Sequence, residues 1–124
     1  MAGPTHCFTP DLLKGKCALV TGGGTGIGRA IAFALAHAGA DLILAARQLE
    51  PLQATAQEIA TETGRDVLIT QVDIRNLDSV QALAEFVTDH GGQVDILVNN
   101  AGRQFPQAAE NYSANGWRSI IDLN

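Results

Sequence analysis

The sequence predicts a doubly wound α/β fold, in which helices cover both faces of a parallel sheet. Short apolar runs alternate along the chain with longer stretches of helical periodicity, which is the pattern of β-α-β units. A glycine cluster separates the first apolar run from the first helical stretch, and polar residues follow the later apolar runs. The chain has 124 residues, a size that accommodates one domain.

The first half of the pattern contains two strands and two helices. Residues 17–20 are predicted to form the first strand, and apolar residues at three- and four-residue intervals predict a helix over about residues 26–38. Residues 42–45 form the second predicted strand. A second helix follows and ends near Gly64, because glycine commonly terminates helices.

The second half repeats the alternation. Residues 67–72 are predicted to form the third strand, and Asp78 or Ser79 is expected to cap a third helix. The fourth strand is predicted at 96–98. Residues 104–113 are expected to form a loop, followed by the start of a fourth helix. We therefore expect a Rossmann-type parallel sheet with strand order 3-2-1-4.

Composition excludes several other classes of protein. Thirteen acidic residues outnumber eight lysines and arginines, so the net charge of -5 argues against nucleic acid or an anionic membrane as a partner. No apolar run approaches the roughly 18 residues of a membrane-spanning helix. Two cysteines without metal-ligand spacing, and no secretory signal, predict a metal-free intracellular protein, cytoplasmic by default. Residues 1–15 are interpreted as an N-terminal arm and 16–124 as the Rossmann-type unit.

The glycine cluster is the first candidate site. It lies between a predicted strand and a predicted helix, where the absence of side chains lets the backbone approach a pyrophosphate at the helix N-terminus. Its spacing is Gly-x-x-x-Gly-x-Gly, which differs from Gly-x-Gly-x-x-Gly, and a glycine-rich turn without a ligand stays possible. The candidate cofactor-binding residues here are Thr21, Gly22, Gly23, Gly24, Thr25, Gly26, Ile27 and Gly28.

The end of the second strand indicates which dinucleotide is preferred. An NAD-selective unit usually places an acidic residue there for the ribose 2′-hydroxyl, whereas arginine accommodates a 2′-phosphate. Here the strand ends with alanine and Arg47, and no carboxylate occupies that position. NADP(H) is therefore favoured over NAD(H). The alternative is that Arg47 is an ordinary solvated surface residue.

Two further strand ends carry polar groups. Asp73 and Ile74 follow the third strand, where they could contact an adenine ring, although Asp73 could equally cap its own turn. Asn99 and Asn100 follow the fourth strand. Because buried amides are costly unless they are hydrogen-bonded, we expect them to join adjacent strand ends and to line the cofactor crevice.

Taken together, Thr21-Gly22-x-x-x-Gly26-Ile27-Gly28, Asp73-Ile74 and Asn99-Asn100-Ala101-Gly102 resemble the motifs of the short-chain dehydrogenase/reductase family in order and spacing, over residues 16–124. The resemblance implies that the glycine loop binds the pyrophosphate, Arg47 the 2′-phosphate, Asp73 and Ile74 the adenine, and Asn100, Ala101 and Gly102 the adjoining ribose. Asn124 falls where the family has an active-site asparagine that supports a proton-relay water.

One family motif is missing from these 124 residues. Family members use a Tyr-x-x-x-Lys pair and an upstream serine for general acid–base chemistry beside the nicotinamide. Here the single tyrosine is Tyr112 and the last lysine is Lys16. The resemblance therefore implies an N-terminal half of a longer domain, without turnover of its own and with an open, association-prone edge at the fourth strand. A full-length relative is expected to be a homo-oligomer.

Within the family, residues 8–16, Arg47 and the segment after Gly102 resemble the peroxisomal trans-2-enoyl-CoA and 2,4-dienoyl-CoA reductases. Those enzymes reduce a conjugated carbon–carbon double bond of an acyl thioester with NADPH. The resemblance implies an acyl-CoA or similar hydrophobic substrate, with Gln104 and Phe105 beside the nicotinamide, and a peroxisomal location stays open. The alternatives are an alcohol dehydrogenase or keto-reductase of the same family, or an inactive nucleotide-binding fragment.

Overall fold

The computed structural model describes residues 8–90, 92–102, 111 and 113–121. Within that part of the chain, strands and helices alternate as predicted. The strands are β1 (Cys17–Thr21), β2 (Asp41–Ala46), β3 (Val67–Gln71) and β4 (Ile96–Val98). The helices are α1 (Gly26–His37), α2 (Leu49–Thr63), α3 (Leu77–His90) and α4 (Ala114–Ile121).

All strands pair in parallel, in the order β3-β2-β1-β4, so the doubly wound fold class and the strand order are confirmed. β1 lies between β2 and β4, with Val20 opposite both Leu44 and Val98. The chain runs from β1 to β2 in one direction along the sheet and reaches β4 on the other side. The carboxyl end of β1 is therefore the topological switch point, where such sheets bind ligands.

Helices cover both faces of the sheet, and each face has its own core. On one face, α1 and α2 pack against β1 and β2 through Ala18, Val20, Ala32, Ala36, Leu42, Leu44, Leu52 and Ile59. On the other face, α3 contributes Leu83 to a second cluster with Leu19, Ile43, Ala45 and Val72. Successive residues of β1 and β2 thus point into opposite cores, which explains why both strands are continuous apolar runs.

The observed boundaries depart little from the expected ones. β3 ends at Gln71, one residue early, although Val72 beyond it is still buried. The predicted cap of α3 was wrong: the Asn76 side-chain oxygen accepts hydrogen bonds from the amides of Asp78 (2.9 Å) and Ser79 (3.3 Å). An asparagine before the first helical residue satisfies these otherwise unpaired amides. The Ser79 hydroxyl instead accepts the Asp73 N–H at 2.8 Å.

The described part of the N-terminal arm packs against the end of α1. The amide of Leu13 donates to the carbonyl of Ala38 at 2.7 Å, and Gly39, with φ +105°, lies close to Pro10. At the opposite side of the sheet, β4 pairs only with β1 among the described strands, and Leu97 is 56% exposed. Within the described residues, no helix combines the length and apolar character needed to cross a membrane.

Candidate functional site

A crevice of about 550 Å³ lies at the carboxyl edge of the sheet, between the ends of β1, β2, β3 and β4. It is lined by Gly22, Gly24, Thr25, Gly26, Ile27, Ala46, Arg47, Gln48, Pro51, Val72, Ile74, Asn100, Ala101 and Gly102. The structure therefore brings together residues from four separate motifs of the sequence. Arg47 is the single ionisable side chain among these lining residues.

The glycine turn presents the start of α1 to this crevice. Gly22 and Gly26 have φ values of +66° and +56°, a backbone region that favours glycine. Thr25 is the residue before α1, and its side chain makes no capping hydrogen bond. The first turn of α1 contains no acidic residue. The amides and the positive end of the helix dipole are thus left for an anion in the crevice.

Close backbone approaches show why glycine is needed at two positions. A Cβ atom at Gly22 would lie 2.9 Å from Asn100 Nδ2 and 3.2 Å from Ala101 Cα. A Cβ atom at Gly28 would overlap the Gly22 carbonyl oxygen and the Asn100 side-chain amide. The absence of both side chains lets α1 pack directly on the ends of β1 and β4.

The eight residues of the predicted glycine motif divide into two groups. Gly22, Gly24, Thr25, Gly26 and Ile27 line the crevice. The other three lie behind it: Gly28 packs on the Gly22 carbonyl, and a Cβ at Gly23 would meet Leu44 Cδ2 at 2.9 Å. Thr21 is 6% exposed and joins two strand ends. The glycine spacing therefore reflects packing as much as ligand contact.

Thr21 and Asn100 form the junction between β1 and β4. The Thr21 hydroxyl accepts the N–H groups of Asn100 (3.1 Å) and Ala101 (3.0 Å), and it donates to the Val98 carbonyl at 3.3 Å. Asn100 Nδ2 donates to the Gly22 carbonyl at 3.2 Å. Asn100 therefore joins the ends of β1 and β4 and lines the crevice, as expected. Asn99 is exposed and does not line the crevice.

Arg47 lies at the mouth of the crevice, directly after β2, and is exposed. Its backbone carbonyl accepts a hydrogen bond from Gln71 Nε2 at 2.7 Å, which joins the ends of β2 and β3. Among the described residues that line the crevice none is a carboxylate, so Arg47 is the charged group of that lining. The guanidinium can offer two parallel donors to a phosphate group.

Asp73 and Ile74 have different surroundings. Ile74 lines the crevice, whereas the Asp73 carboxylate pairs with Arg75, whose Nε and Nη2 lie 3.1 Å from its two oxygens. Side-chain and backbone hydrogen bonds from Arg75 hold the pKa of Asp73 below its usual range, with a smaller contribution from Arg47. Asp73 is therefore a carboxylate at neutral pH and sits beside the crevice.

Sequence reasoning missed four lining residues: Ala46, Gln48, Pro51 and Val72. Ala46 and Val72 could have been found, because they end or directly follow strands that were correctly placed. Gln48 and Pro51 belong to the start of α2, whose approach to the glycine turn is a long-range contact. The predicted substrate residues Gln104 and Phe105, the predicted Asn124, and Tyr112 lie outside the described residues.

A second, shallower depression of about 850 Å³ lies between α1 and α2, away from the strand ends. Its charged groups are paired across the two helices, Arg29 with Glu58 and the neighbouring His37 with Glu62. Arg29 also lies 4.6 Å above the ring of Phe33. These pairs join the two helices across the depression. The strand-end crevice is the better candidate site.

The fold is of the doubly wound α/β class, and its crevice lies at the topological switch point, where such sheets bind ligands. Comparison with known proteins narrows this class. The family model for short chain dehydrogenase matches residues 16–124. The chain belongs to the short-chain dehydrogenase family of oxidoreductases.

Individual relatives carry several activities. The chain is 36% identical over 120 residues to the peroxisomal 2,4-dienoyl-CoA reductase of Danio rerio, spanning 97% of this chain and 40% of that protein. It superposes on the citronellol catabolism dehydrogenase of Pseudomonas aeruginosa with a TM-score of 0.88 at 37% identity, covering 95% of this chain and 48% of that one. The chain also superposes on L-sorbose reductase from Gluconobacter frateurii, complexed with NADPH and L-sorbose, with a TM-score of 0.85 at 35% identity. This match covers 93% of this chain and 44% of that one. The chain spans less than half the length of these relatives.

Proposed function

We propose that this chain binds NADP(H) in the strand-end crevice, as part of an oxidoreductase that reduces the carbon–carbon double bond of a 2-enoyl-CoA-like substrate. The observation that carries the cofactor assignment is Arg47, an exposed guanidinium in a crevice whose described lining residues include no carboxylate. A 2′-phosphate is the group that such a residue recognises next to a ribose.

Each part of the crevice would hold one part of the cofactor. The turn from Gly22 to Ile27 would bind the pyrophosphate, and Asn100, Ala101 and Gly102 would contact the adjoining ribose. Ile74 would cover one face of the adenine. Asp73 would accept a hydrogen bond from the adenine amino group. A carboxylate has about four acceptor positions, and Arg75 occupies only part of them.

The bound nicotinamide would supply the hydride, and this chain would orient it. Arginine stays protonated at all working pH values, so Arg47 is no general acid or base. No other described crevice residue is ionisable, and the proton must come from elsewhere. Asn124 would support a relay water, and Gln104 and Phe105 would border the nicotinamide and the acyl chain.

The substrate assignment rests on the similarity to the 2,4-dienoyl-CoA reductase, together with the resemblance of the segment after Gly102. A cytoplasmic or peroxisomal location and a homo-oligomeric assembly accord with such an enzyme. Reduction of a ketone or oxidation of an alcohol is the second candidate, and the likeness to the citronellol dehydrogenase and L-sorbose reductase supports it.

The substrate assignment is tested with the full-length gene product that carries this sequence, by NADPH oxidation with acyl thioesters and ketones and by NADP⁺ reduction with alcohols. We expect turnover with 2,4-dienoyl-CoA or trans-2-enoyl-CoA thioesters, and little with the matching ketones and alcohols, which lack the conjugated double bond. Turnover confined to ketones or alcohols would establish the second candidate in its place.

The role of Arg47 is tested by Arg47→Ala. Loss of a charge-assisted pair of hydrogen bonds is expected to weaken NADPH binding by roughly thirtyfold and to leave NADH binding within about twofold. Isothermal titration with each dinucleotide measures both effects. Arg65→Ala is the matched control, because Arg65 precedes β3 at the opposite edge of the sheet. Equal losses for NADPH and NADH would contradict recognition of the 2′-phosphate.

A further inference from the structure

We propose that Thr55 on α2 is a positioning residue that orients the glycine turn for pyrophosphate binding. The inference rests on the proposed binding of a dinucleotide in the crevice, and it assigns a role to a residue that does not line it. Thr55 is 2% exposed, and its hydroxyl donates a hydrogen bond of 2.8 Å to the backbone carbonyl of Gly24.

The contact joins two elements that are far apart in the sequence. Gly24 lies in the turn between β1 and α1, and Thr55 lies in the second turn of α2. A Cβ atom at Gly24 would lie 3.1 Å from the backbone nitrogen of Leu52 and 3.1 Å from Pro51. The glycine turn therefore rests directly against the start of α2, and the Thr55 hydroxyl is the polar group at that contact.

Orientation of the Gly24 carbonyl matters because the same peptide group carries the N–H of Thr25. In a trans peptide the C=O and N–H point in opposite directions, and the described residues contain no cis peptide bond. With its oxygen held against α2, this peptide directs the Thr25 N–H away from α2. A flipped peptide would turn the carbonyl dipole outward, where it would repel a pyrophosphate. Such a flip changes ψ of Gly24 and φ of Thr25, and glycine at position 24 tolerates its part of the change, so the hydrogen bond is what favours the observed orientation.

The choice of threonine at this position is otherwise unexplained by packing or helix propensity. Leu52, Thr55 and Ile59 form the buried face of α2, and Thr55 is its polar member. A threonine inside a helix usually donates to the carbonyl four residues earlier, as Thr63 does to Ile59 at 2.7 Å. The Thr55 hydroxyl bonds instead to another element. Its presence within an apolar face is accounted for by the Gly24 carbonyl, which would otherwise be buried without a donor.

The test compares two ligands in the full-length gene product, NADP⁺ and adenosine 2′-monophosphate, which lacks the pyrophosphate. Thr55→Val keeps the shape of the side chain and removes the donor, so we expect it to weaken NADP⁺ binding by about tenfold. Binding of adenosine 2′-monophosphate is expected to stay within about twofold. Thr55→Ser keeps the donor and is expected to restore most of the NADP⁺ affinity.

Thr63→Val is the matched control, since it removes a threonine hydroxyl bonded within the same helix, and it should change neither affinity. If Thr55→Val is too unstable to titrate, Thr55→Ala against Thr55→Ser makes the same comparison. An unchanged NADP⁺ affinity without the donor, or an equal loss for both ligands, would overturn the positioning role. Absence of NADP⁺ and NADPH binding by the wild-type protein would instead overturn the proposed function, and this inference with it.

Discussion

Gly28→Ala is expected to weaken NADP(H) binding by roughly tenfold to a hundredfold, because overpacking at this contact, which costs about 1–3 kcal/mol, displaces the start of α1. The added methyl would overlap the Gly22 carbonyl and the Asn100 side-chain amide. Both residues line the crevice, so α1 must move away from the strand ends. Fluorescence or calorimetric titration with NADPH measures the loss.

Gly64→Ala is the matched control for that substitution. Gly64 follows α2 with φ +72°, and a Cβ there would meet nothing within 4 Å. The alanine must adopt a left-handed conformation, so stability should fall by about 1–2 kcal/mol. NADPH affinity should not change, because this helix end lies away from the crevice. If Gly28→Ala bound NADPH as well as Gly64→Ala, the close packing of α1 would have no part in the site.

Thr21→Val is expected to lower the free energy of unfolding by about 2 kcal/mol, because it removes a hydroxyl that bonds three half-buried backbone groups. The Ala101 N–H loses its partner, whereas the Asn100 N–H keeps its hydrogen bond of 3.1 Å to the Val98 carbonyl. The hydroxyl accepts the amides of Asn100 and Ala101 and donates to the carbonyl of Val98. Valine has the same shape and none of these capacities. Denaturant unfolding of the two proteins measures the difference.

Two variants identify the origin of that loss. Thr21→Ser keeps the hydroxyl and should recover most of the stability. Thr88→Val removes a hydroxyl that bonds to the Ala84 carbonyl on the exposed surface of α3, and it should change the free energy by less than about 0.5 kcal/mol. A Thr21→Val protein as stable as Thr88→Val would show that the junction of β1 and β4 does not depend on this side chain.

The fold could be predicted because each element has a local signature. Residues 42–45 form an uninterrupted apolar run, and β2 is buried on both faces between two neighbouring strands. β4 has only three residues, yet the two asparagines after it mark its end clearly. The start of α1 follows from the glycine cluster and the periodicity after it. The strand order 3-2-1-4 followed from the Rossmann-type assignment, because right-handed crossovers alone also permit the order 2-1-3-4.

The parts that the sequence did not reveal depend on contacts between distant residues. The start of α3 offers three residue types that commonly cap helices, Asn76, Asp78 and Ser79. The hydrogen bonds in the structure show that Asn76 is the residue that caps α3. The motif predicts that Gly28 contacts the cofactor. In the structure, Gly28 packs against the Gly22 carbonyl and is not among the residues that line the crevice. Thr55 shows no signal of its own in the sequence, because its partner is thirty-one residues away.

Calorimetric titration of the full-length gene product with NADPH and with NADH tests the central claim most directly. Within the described lining, the crevice combines the start of α1, which has no side-chain cap and no acidic residue in its first turn, with the Arg47 guanidinium and no carboxylate. We predict that NADPH binds at least about tenfold more tightly than NADH, and that Arg47→Ala removes this preference. Equal affinities, or tighter binding of NADH, would contradict the assignment of the crevice to NADP(H).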